Sequence, residues 1–252
     1  MQGQLELKHL RCLVAIVDTG SFTDAAIELG VSQAAVSRTL LADADDLVRD
    51  AATGHTRLRI GHAWGAMGRH TAEFQRRWHE RYPDIELYLI RHNTATGGLA
   101  EGLCDLAVVR TAVDERRYDQ AVVGHEPRYV AIASDDAWAR RRSIGLEEIR
   151  ERVLILDRRT GTTHAGLWSD SDRPRMEYTK DIDDWLTAIA GGRYVGVTPQ
   201  ATIGQYQREG IVFRPLRNAE PVPVRFIWRR HDPHPATHAA VALLADLYRE
   251  KR

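Results

Sequence analysis

The sequence predicts an α/β protein in two parts: a short helical N-terminal unit, then 196 residues that divide best into two small α/β lobes. Three observations lead there. Apolar residues follow a helical period up to Thr53–Gly54 and then alternate between strand-like and helix-like runs. Two short helices near the start are separated by a glycine-containing turn. Charge is also divided: residues 1–56 carry four basic against eight acidic groups, and the rest carries 31 against 27, although the whole chain is neutral.

Leu10, Leu13, Val14 and Val17 recur at i, i+3, i+4 and i+7, the apolar stripe of a helix over roughly 7–18. Gly20 ends it. Ser21 with Asp24 three residues on forms a capping-box-like start for a second helix, and Gly30 can end that helix in a left-handed turn. Ser32 caps a third helix almost at once. Small Ala25 and Ala26 permit close approach, with Val31 and Val36 filling the angle, which is helix-turn-helix geometry. On the third helix Gln33, Ala34, Ser37 and Arg38 lie away from Val36 and Leu40. Short polar groups and a guanidinium there suit base reading or phosphate contact; a plain solvated face fits the spacing equally. The apolar stripe runs on through Leu40, Leu41, Ala44, Leu47, Val48 and Ala51 without Gly or Pro. One helix from Ser32 to Ala52 would be about 31 Å long, with a seam and Asp-rich flanks suited to packing on another copy of itself.

Beyond Gly54, LRIG (58–61), IELYLI (85–90), DLAVV (105–109), YVAIA (129–133), VLIL (153–156), YVGVT (194–198), GIVF (210–213) and VRFIW (224–228) read as strands. Helices are expected over about 68–81, at LAEGL (99–103), from near Leu146, Gly161 and Asp181, and over about 235–250. Such alternation predicts parallel sheets with helices on both faces.

The sequence itself disfavours several functions. Cys12 and Cys104 make neither a disulfide framework nor a thiolate metal site. MQGQLELKHLRCL carries charge throughout, unlike an export or membrane segment, so a cytoplasmic protein without membrane contact is expected. HDPHPATH (231–238) brings three imidazoles together, but its spacing matches no common zinc pattern. Asp181 and Asp184 read as a helix cap rather than an acid/base pair. With no GxSxG, GxxxxGK[ST] or GxGxxG, neither an enzyme nor a bound cofactor is expected.

LKHLRCLVAIVDTG followed by SFTDAAIELGVSQAAVSRTL resembles the opening of a LysR-type transcriptional regulator. Gly20-Ser21-Phe22, Ala25-Ala26, Leu29 and Val31 through Arg38 carry the match. RLRIG, YPDIEL, LAEGLCDLAVV, AGGRYVGVTPQ and WRRHDPHPATHAAVALLADL are similar to that family's effector-binding domain, so the likeness spans nearly the whole chain. It implies a helix-turn-helix at 1–40, a linker helix at 41–56 and, at 57–252, a two-lobed domain like the type II periplasmic-binding proteins. Lobe I is expected over about 57–133 and 214–252, and lobe II over about 134–213. One departure stands out. The family continues from its recognition helix into a basic β-hairpin wing, whereas here Thr39-Leu40-Leu41 passes directly to Ala42-Asp43-Ala44-Asp45. The wing block is missing from the sequence, and the acidic balance of 1–56 agrees, because affinity for DNA comes largely from Lys and Arg at phosphates.

The resemblance implies DNA contacts at Ser21, Thr23, Ser32, Gln33, Ala34, Ser37 and Arg38, and an effector cleft at strand ends and helix starts. Trp64 and Gly65 after the first strand, Asn93 and Thr94 after the second, Arg159, Thr160, Gly161 and Thr162 in DRRTGTTHAG, and Thr198 after YVGV are the expected cleft residues. Hydroxyls, backbone amides and one guanidinium suit a small organic anion; an ordinary Gly/Thr turn is the plainer reading of the third group. The partners expected are DNA, bound weakly or not at all, a small-molecule effector, and further copies of the chain as a dimer or tetramer. The alternative is a ligand-binding or dimerisation module that no longer touches DNA.

Overall fold

A computed structural model describes residues 14–19, 21–33, 56–158 and 161–250. The chain divides into two compact units, Met1–Thr56 and Arg57–Arg252. Among the described residues no helix is long and apolar enough to cross a membrane.

In the first unit, residues 14–19 are helical and α1 spans Phe22–Leu29. The Ser21 hydroxyl caps α1 by accepting from the N–H groups of Thr23 and Asp24, at 3.2 and 3.4 Å. Gly30 takes left-handed angles (φ 65°), and its N–H and that of Val31 bond back to Ile27 and Ala26. That pairing closes the helix by satisfying its last carbonyls. Ala15, Ala25 and Ala26 are buried, with Ile16 and Leu29 packed around Ala26. Val31 does not fill the angle as expected: tied into the turn by its own N–H, it is 48% exposed. Val17 and Ile27 are each 74% exposed. The continuous helix to Ala52, Val36 and the junction at Thr39–Asp45 lie outside the described residues.

The second unit holds two sheets. Lobe I has β1 (Arg57–His62), β2 (Glu86–Arg91), β3 (Leu106–Val109), β4 (Tyr118–Glu126) and β11 (Val222–Arg229) in the order β2-β1-β3-β11-β4. Helices α2 (Thr71–Arg81) and α5 (Thr237–Arg249) pack on it around Leu58, Ile60, Phe74, Trp78, Phe226 and Leu244. Lobe II has β5 (Arg128–Ala133), β6 (Ile144–Gly145), β7 (Val153–Asp157), β8 (Arg175–Thr179), β9 (Tyr194–Pro199) and β10 (Ile211–Arg217) in the order β6-β10-β5-β9-β7-β8. Its central strands are covered on both faces. Val130, Ile132 and Leu154 point to one cluster, while Ala131 and Ile155 join Trp185, Leu186 and Ile189 of α3 (Ile182–Ala190) in the other. Two short elements complete the lobe: a 3-10 turn at Leu146–Glu151 and α4 (Ala201–Gln205).

The sheets are mixed rather than parallel. β1, β2 and β3 are parallel, as are β7, β8 and β9, but β11 is antiparallel to β3 and β4, and β5 to β9 and β10. The cause is the way the chain changes lobes. β4 passes into β5 through the single residue Pro127, and β10 passes into β11 through residues 218–221. A strand entering a lobe starts where that lobe's parallel strands end, so it must run the opposite way. The crossings therefore fall at Pro127 and 218–221, not at 133/134 and 213/214: Arg128–Ala133 and residues 214–217 belong to the second sheet. β4, β6 and β8 were not expected from the sequence. LAEGL is a series of turns, not a helix, and the segment after Gly161 forms only 3-10 turns at Ala165–Leu167 and Asp170–Asp172.

Trp185 is 1% exposed, and its indole N–H donates to the Ile155 carbonyl at 2.9 Å. Trp185→Ala is expected to lower unfolding free energy by about 3–5 kcal/mol, through the cavity and the lost hydrogen bond. Urea titration of the purified chain measures it; a loss below about 1 kcal/mol would contradict this packing.

Candidate effector cleft

The two lobes face each other across a narrow cavity of about 40 Å³. Its walls come from the carboxyl ends of strands: Trp64 follows β1, Thr94 follows β2, Arg110 and Thr111 follow β3, and Thr198 lies at the end of β9. Thr162 and Thr202 complete the lobe II side. Five threonines thus line a crevice whose apolar surface comes from groups such as Trp64 and Val108. That is the make-up of a small-molecule site, with few polar groups fixing orientation on an apolar background.

The polar groups are held in place. Thr198 is 1% exposed, and its Oγ1 lies 2.5 Å from that of Thr202. Thr94 Oγ1 accepts the Gly98 N–H at 3.1 Å. The Thr162 carbonyl accepts from the Arg128 guanidinium at 3.2 Å. Next to it, Thr163 is buried and donates its hydroxyl to the Val197 carbonyl at 2.8 Å.

Arg110 does not offer a bare charge to the cavity. Its Nε and NH2 pair with both oxygens of Glu126 at 2.9 Å each, and the two side chains are 7% and 4% exposed. Glu126 also accepts from the Tyr248 hydroxyl at 2.7 Å and from the Ala201 N–H at 3.3 Å. Burial pushes the Glu126 carboxyl up, but Arg110, Tyr248 and the Ala201 amide outweigh it and hold the group below its ordinary range. His62, at the end of β1, is lowered to about 4 by burial and then by the positive charges of Arg110 and Arg91. It is neutral at physiological pH.

Further contacts join the lobes around the cavity. Trp64 sits edge-on to Trp185 of lobe II with ring centroids 6.0 Å apart. The Asn93 amide donates to the Lys180 carbonyl at 3.2 Å, and that of Gln205 to the Thr71 hydroxyl at 2.9 Å. Gly65 lies against Ala201 so closely that a Cβ there would be 2.9 Å from the Ala201 methyl, and its φ of 74° also disfavours a side chain.

Of the expected cleft residues, Trp64, Thr94, Thr162 and Thr198 line the cavity, whereas Gly65 and Asn93 hold the lobes together beside it. A Cβ at Gly161 would fall 2.4 Å from the Asp157 carbonyl oxygen, so that position has no room for a side chain. Arg159 and Thr160 lie outside the described residues. Arg110 and Thr111 were missed although a signal existed, since they directly follow the DLAVV strand at its carboxyl end. Thr202 had no such signal; α4 is brought to the cleft by the tertiary fold. In the first unit, Thr23, Ser32 and Gln33 are exposed and Ser21 is the α1 cap. Ala34, Ser37 and Arg38 lie outside the described residues. His234 accepts the Ala236 N–H at 3.1 Å in the turn before α5, and Asp181 caps α3 through the Asp184 N–H.

A family profile described as LysR substrate binding domain matches residues 51–249, and one described as the lysR-family bacterial regulatory helix-turn-helix matches 7–42. The chain is 28% identical to the small neutral protease regulatory protein of Streptomyces coelicolor, covering 97% of this chain and 95% of that one. That alignment runs over 314 positions against 252 residues here, so at least 62 positions of the relative face a gap. It is 25% identical to the uncharacterized HTH-type regulator YnfL of Escherichia coli K12, covering 90% and 93% of the two chains. Among solved structures, full-length CbnR in complex with its target DNA shares the fold at a TM-score of 0.65 and 18% identity, covering 97% of this chain and all of that one. The effector binding domain of a BenM variant gives 0.65 at 15%, covering 77% and 95%.

Glu126→Gln is expected to cost about 3–5 kcal/mol because it strands the buried Arg110 charge. The Arg110→Met/Glu126→Leu double variant should recover most of that loss in urea unfolding. A single variant within about 1 kcal/mol of wild type would show that the pair is not desolvated.

Proposed function

The chain belongs to the LysR family of transcriptional regulators, and we propose that it senses a small organic anion in the interlobe cleft while gripping DNA weakly. The family membership makes it a regulator with an effector-binding domain, not an enzyme. What supports the anion reading above all is that five threonines and the strand ends of both lobes line one interlobe crevice. Hydroxyls donate readily to a carboxylate, and the DRRTGTTHAG segment adds Arg159 in sequence next to that wall. Regulation then follows from a ligand that binds one lobe angle better than another, since only differential affinity shifts an equilibrium.

Weak DNA binding is supported by the acidic balance of 1–56. The exposed Val17 and Ile27 fit a unit that has lost part of its cover, and they fit equally a surface that meets another copy. We therefore propose a homo-oligomer, cytoplasmic, whose helix-turn-helix occupies 1–40 and whose linker helix occupies 41–56. Within the cleft the proposed contacts are Trp64, Thr94, Thr162 and Thr198, with Arg159 and Thr160 following from their place in the DRRTGTTHAG segment. Toward DNA they are Thr23, Ser32, Gln33, Ala34, Ser37 and Arg38. A module that acts only by joining full-length relatives is the second reading, favoured by the same acidic balance.

Thermal-shift screening against small carboxylates is expected to find a stabilising compound. Thr162→Val should weaken its binding about three- to tenfold, the worth of one hydrogen bond; an unchanged melting shift removes Thr162 from the site. In a DNA-shift titration, promoter and random fragments should bind within about tenfold of each other and no tighter than micromolar. Nanomolar, salt-sensitive binding of one promoter fragment would refute the weak-grip reading.

A further inference from the structure

Arg128 opens β5, immediately after the residue by which the chain first crosses between lobes. It is 5% exposed, yet among the described residues it pairs with no carboxylate. Its Nε donates to the Glu220 carbonyl at 2.8 Å and its NH1 to the Thr162 carbonyl at 3.2 Å. Burial pulls its pKa below the ordinary arginine value, with the Glu220 charge opposing. A guanidinium removed from water and satisfied by backbone alone is costly to keep. Its two partners are not arbitrary. Glu220 lies in the second crossing, residues 218–221, and Thr162 is in the wall of the cleft. One rigid fork therefore joins both hinge segments and the ligand-facing loop.

We propose that Arg128 is the positioning residue of the hinge: it holds the two crossing segments at one spacing and ties that spacing to the Thr162 loop, so that the lobe angle and the cleft wall change together. An aliphatic side chain of the same length removes both donors and with them the fork that joins the crossings to the Thr162 loop. The angle between lobes then becomes variable, although each sheet and each core is untouched. Lysine keeps the charge but, as a point donor on a flexible stem, cannot hold two carbonyls in a fixed fork. This inference does not depend on what the cleft binds.

The test is a distance measurement between spin labels on the full-length chain, at Ala100→Cys in lobe I and Thr187→Cys in lobe II, both exposed. Cys12→Ser removes one native thiol, and Cys104 is buried. Wild type is expected to give one narrow distance distribution. Arg128→Met should widen it about twofold, as for a released hinge, and Arg128→Lys should fall between. Leu154→Ala, in the lobe II core, is the control for plain destabilisation and should keep the wild-type width. A wild-type width for Arg128→Met, or equal widening for Leu154→Ala, overturns the proposal. If the Met variant does not fold, a wild-type width for the Lys variant overturns it instead.

Discussion

The chain passes between its two sheets twice, by short segments that have little slack, and most else in the second unit follows from that. β4 becomes β5 across Pro127 alone, and β10 becomes β11 across four residues, 218–221. With connections this short, the carboxyl ends of β1 to β3 and of β7 to β9 must face one another. Loops at those ends have the backbone groups and freedom that ligands exploit in open α/β sheets. The crevice is thus a consequence of connectivity before it is a matter of side chains. The same constraint turns β5 and β11 antiparallel and decides which residues count as hinge.

The electrostatics of the crevice follow a different logic from its lining. Charge is buried there, but it is spent internally: Arg110 is matched by Glu126, which is matched again by Tyr248 and the Ala201 amide. Because Glu126 and Ala201 belong to different lobes, part of that network exists only while the lobes are close together. What faces the cavity is mainly hydroxyl and apolar surface, which can bind a ligand without a large desolvation cost. Arg128 is the contrasting case, a cation satisfied by carbonyls of the segments whose spacing sets the lobe angle.

The first unit presents the opposite balance. Its helices meet through small side chains, with Ala15, Ala25 and Ala26 buried, while Val14, Val17 and Ile27 face outward. Outward-facing valine and isoleucine leave apolar surface uncovered in this unit. Its acidic balance works against the phosphate contacts on which DNA affinity depends.

Local signals were fully readable from the residues. The Ser21 cap, the Gly30 stop and the Asp181 cap are decided within four positions by hydrogen bonds to nearby backbone, and α5 and the buried strands by apolar periodicity. Cleft residues placed directly after a strand, such as Trp64, Thr94 and Thr198, were legible for the same reason, and Arg110 could have been. Strand direction, the lobe boundaries, β4 and β8 were not, because a strand's partner and orientation depend on where distant segments meet. Thr202 reaches the cavity, Glu126 finds Arg110 and Ala201, and Arg128 finds Glu220 and Thr162 across 92 and 34 positions of chain. No local pattern encodes those meetings; folding two sheets around a doubly crossed hinge creates them.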